Sequence, residues 1–484
     1  MEQFVNSLNE ILWSPVMIYL CLGVGLLFSL ITRFLQVRHL KDMIALMFKG
    51  KSSDAGVSSF QALSIALSGR VGTGNIAGTA TAIAFGGPGA VFWMWTIAFI
   101  GASSAFIEST LAQIYKVKQD GQYRGGPAYY IEKGTGWKWY AVLFALSAIL
   151  AVGLLMPGIQ SNSIALGLEN AFSISPTVTG IILVILLASI IFGGVKRIAS
   201  VAQYVVPFMA LGYILLSIII VAMNIEELPA VFGLIFKSAF GLESAFGGII
   251  GMAVSWGVKR GIYSNEAGQG TGPHAAAAAE VSHPAKQGLV QAFSVYIDTL
   301  LVCSATAFMI LFTGMYNTQA PDGSYIVNNL GDVEPGPAYT QAAIETVFPG
   351  FGAGFVAIAL FFFAFTTIMA YYYIAETNIA YLTRGKDSKW PMFALKIAIL
   401  GATFYGAVKT AGLAWALGDV GLGIMVWLNI IAIVILAKPA LKALKDYEEQ
   451  KKQGLDPVFN PVKLGIKNAD YWVNEFKKDE EQVS

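Results

Sequence analysis

Ten residues constrain this chain more than any others: Gly69-Arg-Val-Gly-Thr-Gly-Asn-Ile-Ala-Gly78 interrupts an apolar segment long enough to cross a membrane. Hydrocarbon offers no hydrogen-bond partners, so irregular backbone at that depth is tolerated only where protein or a wet cavity surrounds it. The interruption therefore marks a binding place inside a membrane protein rather than a surface loop. A second one, Trp256-Gly-Val-Lys-Arg-Gly-Ile-Tyr-Ser-Asn-Glu-Ala-Gly-Gln-Gly-Thr-Gly-Pro273, again follows an apolar half-segment. Two broken hydrophobic segments in corresponding halves point to a secondary transporter built from an inverted repeat.

Composition agrees, with 56% of the 484 residues hydrophobic and only 13% charged, about half the charge of an ordinary soluble domain. The net charge of +1 argues for no nucleic-acid or acidic partner. Apolar stretches of about 20 residues give an all-α polytopic protein with eleven membrane helices. Their expected spans are 14–35, 59–86, 88–115, 138–160, 175–193, 203–224, 244–282 (broken), 288–315, 342–380, 391–410 and 414–437. The N-terminal region lacks the pattern of a cleaved signal, so the first helix is expected to be retained.

Basic residues collect in alternate loops: Arg33, Arg38, Lys41, Lys49 and Lys51; Lys116, Lys118, Arg124, Lys133 and Lys138; Lys196 and Arg197; Lys286; and Arg384, Lys386 and Lys389. The loop 317–340 carries only acids, so the positive-inside rule puts the N-terminus outside and the C-terminal tail in the cytoplasm. Setting the first helix aside leaves two blocks of five, each opening on its broken helix and starting from opposite sides of the membrane. The expected organisation is 1–58 for the external N-terminus, extra helix and basic loop, 59–224 and 225–437 for the two five-helix repeats, and 438–484 for the tail.

The motifs Ser68-Gly-Arg-Val-Gly-Thr-Gly-Asn-Ile-Ala-Gly78 and Gly257-Val-Lys-Arg-Gly-Ile-Tyr-Ser-Asn-Glu-Ala-Gly-Gln-Gly270, with the eleven-helix length, closely resemble the alanine/glycine:cation symporter (AGCS) family of the amino-acid/polyamine/organocation transporter superfamily. The resemblance implies the five-plus-five fold of sodium-coupled amino-acid symporters and import of alanine or glycine with a cation, usually sodium. It leaves sodium and proton coupling both open.

A zwitterionic amino acid presents a carboxylate and an ammonium, and an unwound helix answers both with freed N–H groups and freed carbonyls. Thr73, Gly74 and Asn75 are the candidates for the carboxylate side, and the carbonyls of Ser68 and Val71 for the cation. Expected walls of the substrate pocket are Met156, Phe246 and Trp256, with Gly257–Gly261 as the unwound part of the second broken helix. Sodium needs hard oxygen ligands, and Thr366 and Thr367 offer adjacent hydroxyls in an aromatic run. By the resemblance their helix supplies such a pair beside the first broken helix.

Ionisable residues at membrane depth, Arg70, Glu108, Glu266, Asp298 and Glu376, are expensive in lipid and must face protein or water. Arg70 is expected to pair with Asp298 or Glu108. Lys259, Arg260 and Glu266 are expected to form a gate network on the cytoplasmic side.

His39, His274 and His283 lack metal-ligand spacing, and Cys21 and Cys303 lie in apolar runs as small hydrophobes. No cofactor is expected, and the only metal is the sodium carried. The first motif lacks the Gly-Lys-Ser/Thr ending of a nucleotide-binding loop, which disfavours an ATP-driven pump. Nothing in the acids' spacing suggests an intramembrane enzyme, and no ring-forming filter motif suggests a channel. A monomer in lipid is expected, its tail a solvated or surface-lying helix with a turn at Asp456-Pro-Val-Phe-Asn-Pro461.

Overall fold

The computed structural model describes residues 2–50, 52–243 and 245–476; Lys51 of the basic loop and the last part of the tail, 477–484, lie outside the described residues. Among the described residues eight continuous helical stretches are long and apolar enough to cross a membrane: Gln3–Ile31, Gly89–Ile114, Lys138–Phe172, Lys196–Met223, Pro284–Thr313, Gly352–Leu382, Lys389–Val408 and Ala411–Ile435. A shorter apolar helix, Pro176–Ile191, joins them. Two further segments are interrupted helices.

The first interrupted helix starts with a capping box, Ser58 and Gln61 exchanging side-chain and backbone bonds, and runs Ser59–Arg70. Its chain departs from helix at Val71 (ψ 86°), re-enters as a wide π turn over Gly74–Gly78 and continues as Thr79–Gly86. Gly87, at φ +69°, ends it, and the next helix begins at Gly89.

The second interruption is not where the glycines of its first half suggested. Helix Ile250–Asn265 passes unbroken through Gly257 and Gly261. A Cβ on Gly257 would stand 2.5 Å from the Ala90 carbonyl oxygen, and one on Gly261 2.4 Å from Ile97, so these glycines let the helix lie flush against Gly89–Ile114. The break lies at Glu266–Thr271, where Glu266, Gly268 and Gly270 have φ of 57°, 78° and 89°, and helix resumes as Gly272–Ala278.

Other boundaries also move. The span expected at 138–160 runs to Phe172 through a wide turn at Ala151–Leu155, because Pro157 has no N–H to continue the α pattern. The span expected at 342–380 is two helices, Pro337–Val347 and Gly352–Leu382, parted by Phe348-Pro-Gly-Phe351. The first span starts early: Glu2–Leu12 is helical and packs on Ala411–Ile435, with Asn9 Nδ2 donating to the Ala416 carbonyl (2.9 Å) and Trp427 Nε1 to that of Leu12 (3.0 Å).

The tail is a strap rather than a free helix. Helix Ala437–Lys452 packs on Gly89–Ile114 and Pro284–Val295. Beyond it the chain crosses the ends of the bundle: Phe459 N–H donates to the Ser282 carbonyl (2.9 Å), Lys286 pairs with Asp456 (2.7 Å), and buried Trp472 donates its indole N–H to the Gln113 carbonyl (2.9 Å). Lys116 lies beneath, its ammonium over the rings of Tyr123, Tyr471 and Trp472 and bonded to the Ala279 carbonyl. Burial pushes the Lys116 amine down to about 7, against the opposing pull of Glu280.

Candidate binding site at the paired helix breaks

The two breaks lie side by side, buried from both faces. At the first, the Val71 amide still donates into its helix, to the Leu67 carbonyl (2.7 Å). The next two amides have left the helical ladder. Gly72 N–H donates to Asn75 Oδ1 (2.8 Å), and Thr73 N–H to Gln160 Oε1 (3.1 Å). The Thr73 hydroxyl is buried with no hydrogen-bond partner among the described residues. Buried donors and acceptors are rarely left alone, so this hydroxyl and two amides held by neutral side-chain oxygens form a polar cradle.

Asn75 braces the cradle. Its Nδ2 donates to Asp298 Oδ1 (2.6 Å), and Asp298 also accepts from the hydroxyls of Ser264 (3.1 Å) and Thr299 (2.7 Å). Asp298 thus ties the first broken helix to the second. At Gly74 a Cβ would meet Tyr263 at 2.9 Å and the Ser264 backbone at 3.1 Å, so this glycine lets the two broken helices touch.

The threonine pair divides. Thr367 Oγ reaches the freed Ser68 carbonyl at 2.8 Å, whereas Thr366 bonds only back to Phe363 of its own helix (3.0 Å). Two neighbouring residues project about 100° apart, so only one can face the break.

Arg70 pairs with neither Asp298 nor Glu108. Its guanidinium donates to the Ser294 hydroxyl and to Gln291 (3.3 Å), leaving Nε and Nη2 without partners. Glu108 instead faces the second break, as does Asn429. Glu376 pairs with Arg124 at 3.5 Å. Glu266 lies, with its carboxyl next to the Thr271 side chain, beside a cavity of about 10 Å³ lined by Gly69, Thr271, Gly272 and Tyr373. That volume is at the lower limit for a single water.

The charged network differs from the expected one in its members. Lys259 (2.7 Å) and Arg260 (2.8 Å) both pair with Asp419 of Ala411–Ile435, without Glu266. Trp415, Trp256 and Tyr263 pack on the guanidinium, at 4.3, 5.0 and 5.9 Å. The cluster precedes the second break in the chain, whereas the loop after that break, at Ser282, is bound by the tail. Network and tail therefore lie on opposite sides of the breaks, and both cannot be cytoplasmic.

The three expected wall residues each pack against a different element. Trp256 stacks on Phe85 (4.7 Å) near this network, Met156 lies buried where its helix meets Gly418, and Phe246 packs over the turn at Gly87. Sequence reasoning missed Gln160, Tyr263, Asp419 and Asn429. Gln160 carried a signal: Pro157-Gly-Ile-Gln-Ser-Asn162 is a further polar, Pro/Gly-marked interruption of an apolar span. Its Nε2 donates to the Tyr263 hydroxyl (3.0 Å), joining the first break to the second broken helix through a third helix.

A family model described as the sodium:alanine symporter family matches residues 1–461. The chain is 78% identical to a Bacillus subtilis protein named as a candidate sodium/proton-dependent alanine carrier, over all of both chains. It is 62% identical to a sodium/proton-dependent alanine carrier protein of Bacillus sp. PS3, over 91% of this chain and 99% of that one. It is 46% identical to a candidate sodium/glutamine symporter of Bacillus subtilis, over 95% of this chain and 93% of that one.

Proposed function

Because the chain belongs to the sodium:alanine symporter family, we propose that it imports alanine together with sodium by alternating access around its first helix break. It is a multi-pass membrane transporter, a cation-coupled alanine symporter and not an enzyme. Glycine is a second cargo in this reading, since it presents the same two charged groups without the methyl.

One observation carries the location: the Gly72 and Thr73 amides are held by neutral oxygens of Asn75 and Gln160, next to a buried hydroxyl with no partner among the described residues. An amino-acid carboxylate makes stronger, charge-assisted bonds than an amide oxygen and so displaces it. The cargo's ammonium then faces freed carbonyls, and sodium takes the Ser68 and Val71 carbonyls with the Thr367 hydroxyl. The Lys259–Asp419–Arg260 cluster is the outer lid, and the tail-bound end the inner one. Eleven spans, as one extra helix and two inverted repeats of five (59–224 and 225–437), with the N-terminus outside and the tail inside, complete the reading for a monomer.

A second reading, proton coupling, rests on the buried Glu266 carboxyl and the small cavity it lines at the second break. Labelled alanine uptake into proteoliposomes, with sodium and proton gradients imposed separately, decides between them. Sodium-driven accumulation that survives Glu266→Gln supports the first reading. Accumulation driven by protons alone and lost in that variant replaces it with the second, and no accumulation under either gradient removes both.

A further inference from the structure

The chain opens two helix breaks, and their freed amides meet different acceptors: neutral side-chain oxygens at the first, a carboxylate at the second. At the second break every amide from Glu266 to Gly270 has an internal acceptor. Glu266 N–H donates to the Ile262 carbonyl (2.9 Å), Ala267 to Asn265 Oδ1 (3.0 Å) and Gln269 to the Glu266 carbonyl (3.1 Å). The remaining two, Gly268 (3.1 Å) and Gly270 (3.2 Å), donate to the two oxygens of Glu108. That carboxylate is fully buried, comes from Gly89–Ile114 and also accepts from Asn429 Nδ2 (2.7 Å). Asn429 is itself fixed by the Tyr130 hydroxyl and by its own bond to the Gly268 carbonyl (2.9 Å).

We infer that Glu108 is a resident anion: it occupies at the second break the place that a bound amino acid's carboxylate takes at the first, and so confines the cargo to one site. The inference rests on the reading that places the cargo carboxylate at the Gly72–Thr73 amides. Three donors and two carboxylate oxygens make a charge-assisted set, which a free amino acid would have to break before binding there. The glycines make the arrangement possible. Positive φ turns both amides toward Glu108, and a Cβ at Gly268 or Gly270 would meet Ile430 at 2.7 Å or Phe144 and Pro127 at 2.9 Å. Glu108 is thus a positioning residue that holds the second broken helix in the shape the first one binds against.

The test removes the built-in carboxylate and offers a small one in its place. In Glu108→Ala, thermal unfolding of the purified full chain is expected at a lower temperature than in the wild type, and formate is expected to raise it in the variant alone. Alanine uptake in the same variant should fall about tenfold or more, the effect of losing a hydrogen-bonded charge, and recover several-fold with formate. Glu108→Gln, which keeps one acceptor, should fall between the variant and the wild type. A Glu108→Leu protein that transports like the wild type would overturn the inference, as would formate acting equally on Glu108→Ala and wild type. The unfolding measurement needs no alanine, so its outcome is separate from wild-type uptake, which tests the transport reading itself.

Discussion

Thr367 and Thr366 differ by one residue and face different worlds, one toward the Ser68 carbonyl of the broken helix and the other back into its own turn. Thr367→Val keeps the shape and removes an oxygen, so the sodium concentration for half-maximal alanine uptake is expected to rise about tenfold, the worth of one good polar contact. Thr366→Val should leave it within about twofold by the same argument. A sodium titration of both variants checks this, and equal shifts would move the cation elsewhere. The pair was legible because two hydroxyls stand out in an aromatic run; which of them turns toward the break is set by helix rotation, which packing decides. Gly74 was legible only as a need for smallness. Its neighbours, Tyr263 and Ser264, come from a distant segment, so nothing local in the motif tells a ligand from a helix. Gly74→Val is accordingly expected to wedge the broken helices apart, at about 1–3 kcal/mol for overpacking, and to lower the unfolding temperature with or without alanine.

Among the elements, the second broken helix separates glycines for close packing from glycines for unusual backbone. Gly257 and Gly261 sit in regular helix against Gly89–Ile114, while Gly268 and Gly270 carry positive φ. Sequence supplies the glycines but not the partner surface that assigns each its task, which is why the break was expected too early. The charged cluster between this helix and Ala411–Ile435 was half readable in the same way. Lys259 and Arg260 announce themselves, whereas Asp419 lies in a run that reads as an ordinary span, although a carboxylate at such depth is itself a signal. Removing one partner of a buried charge set typically costs about 3–5 kcal/mol. Asp419→Asn is therefore expected to lower the unfolding temperature and cut alanine uptake at least about tenfold. Uptake and stability equal to the wild type would show that the cluster is not a lid.

For the whole molecule, the proposed orientation rests on loop charge, and cysteines placed at Ser324 and Ser388 test it: an impermeant reagent should label the first from outside and the second from inside. The reverse pattern would invert the lids and the repeat assignment together. The strap formed by the tail was not legible, because Phe459, Tyr471 and Trp472 look like isolated aromatics in a charged segment until the bundle offers them a surface. Trp472→Ala should free it, seen as faster proteolysis after Lys452, since truncating a buried tryptophan costs about 3–5 kcal/mol. If the strap leaves Lys116 in water when it lifts, docking favours the neutral amine. Docking should then tighten as pH rises from about 7 toward the ordinary lysine value, and proteolysis should slow over that window. The cavity beside Glu266 has a consequence of another kind. With room for at most one water, that hollow is too narrow for a hydrated ion, so a charge passing it has to trade its water shell for the oxygens around it.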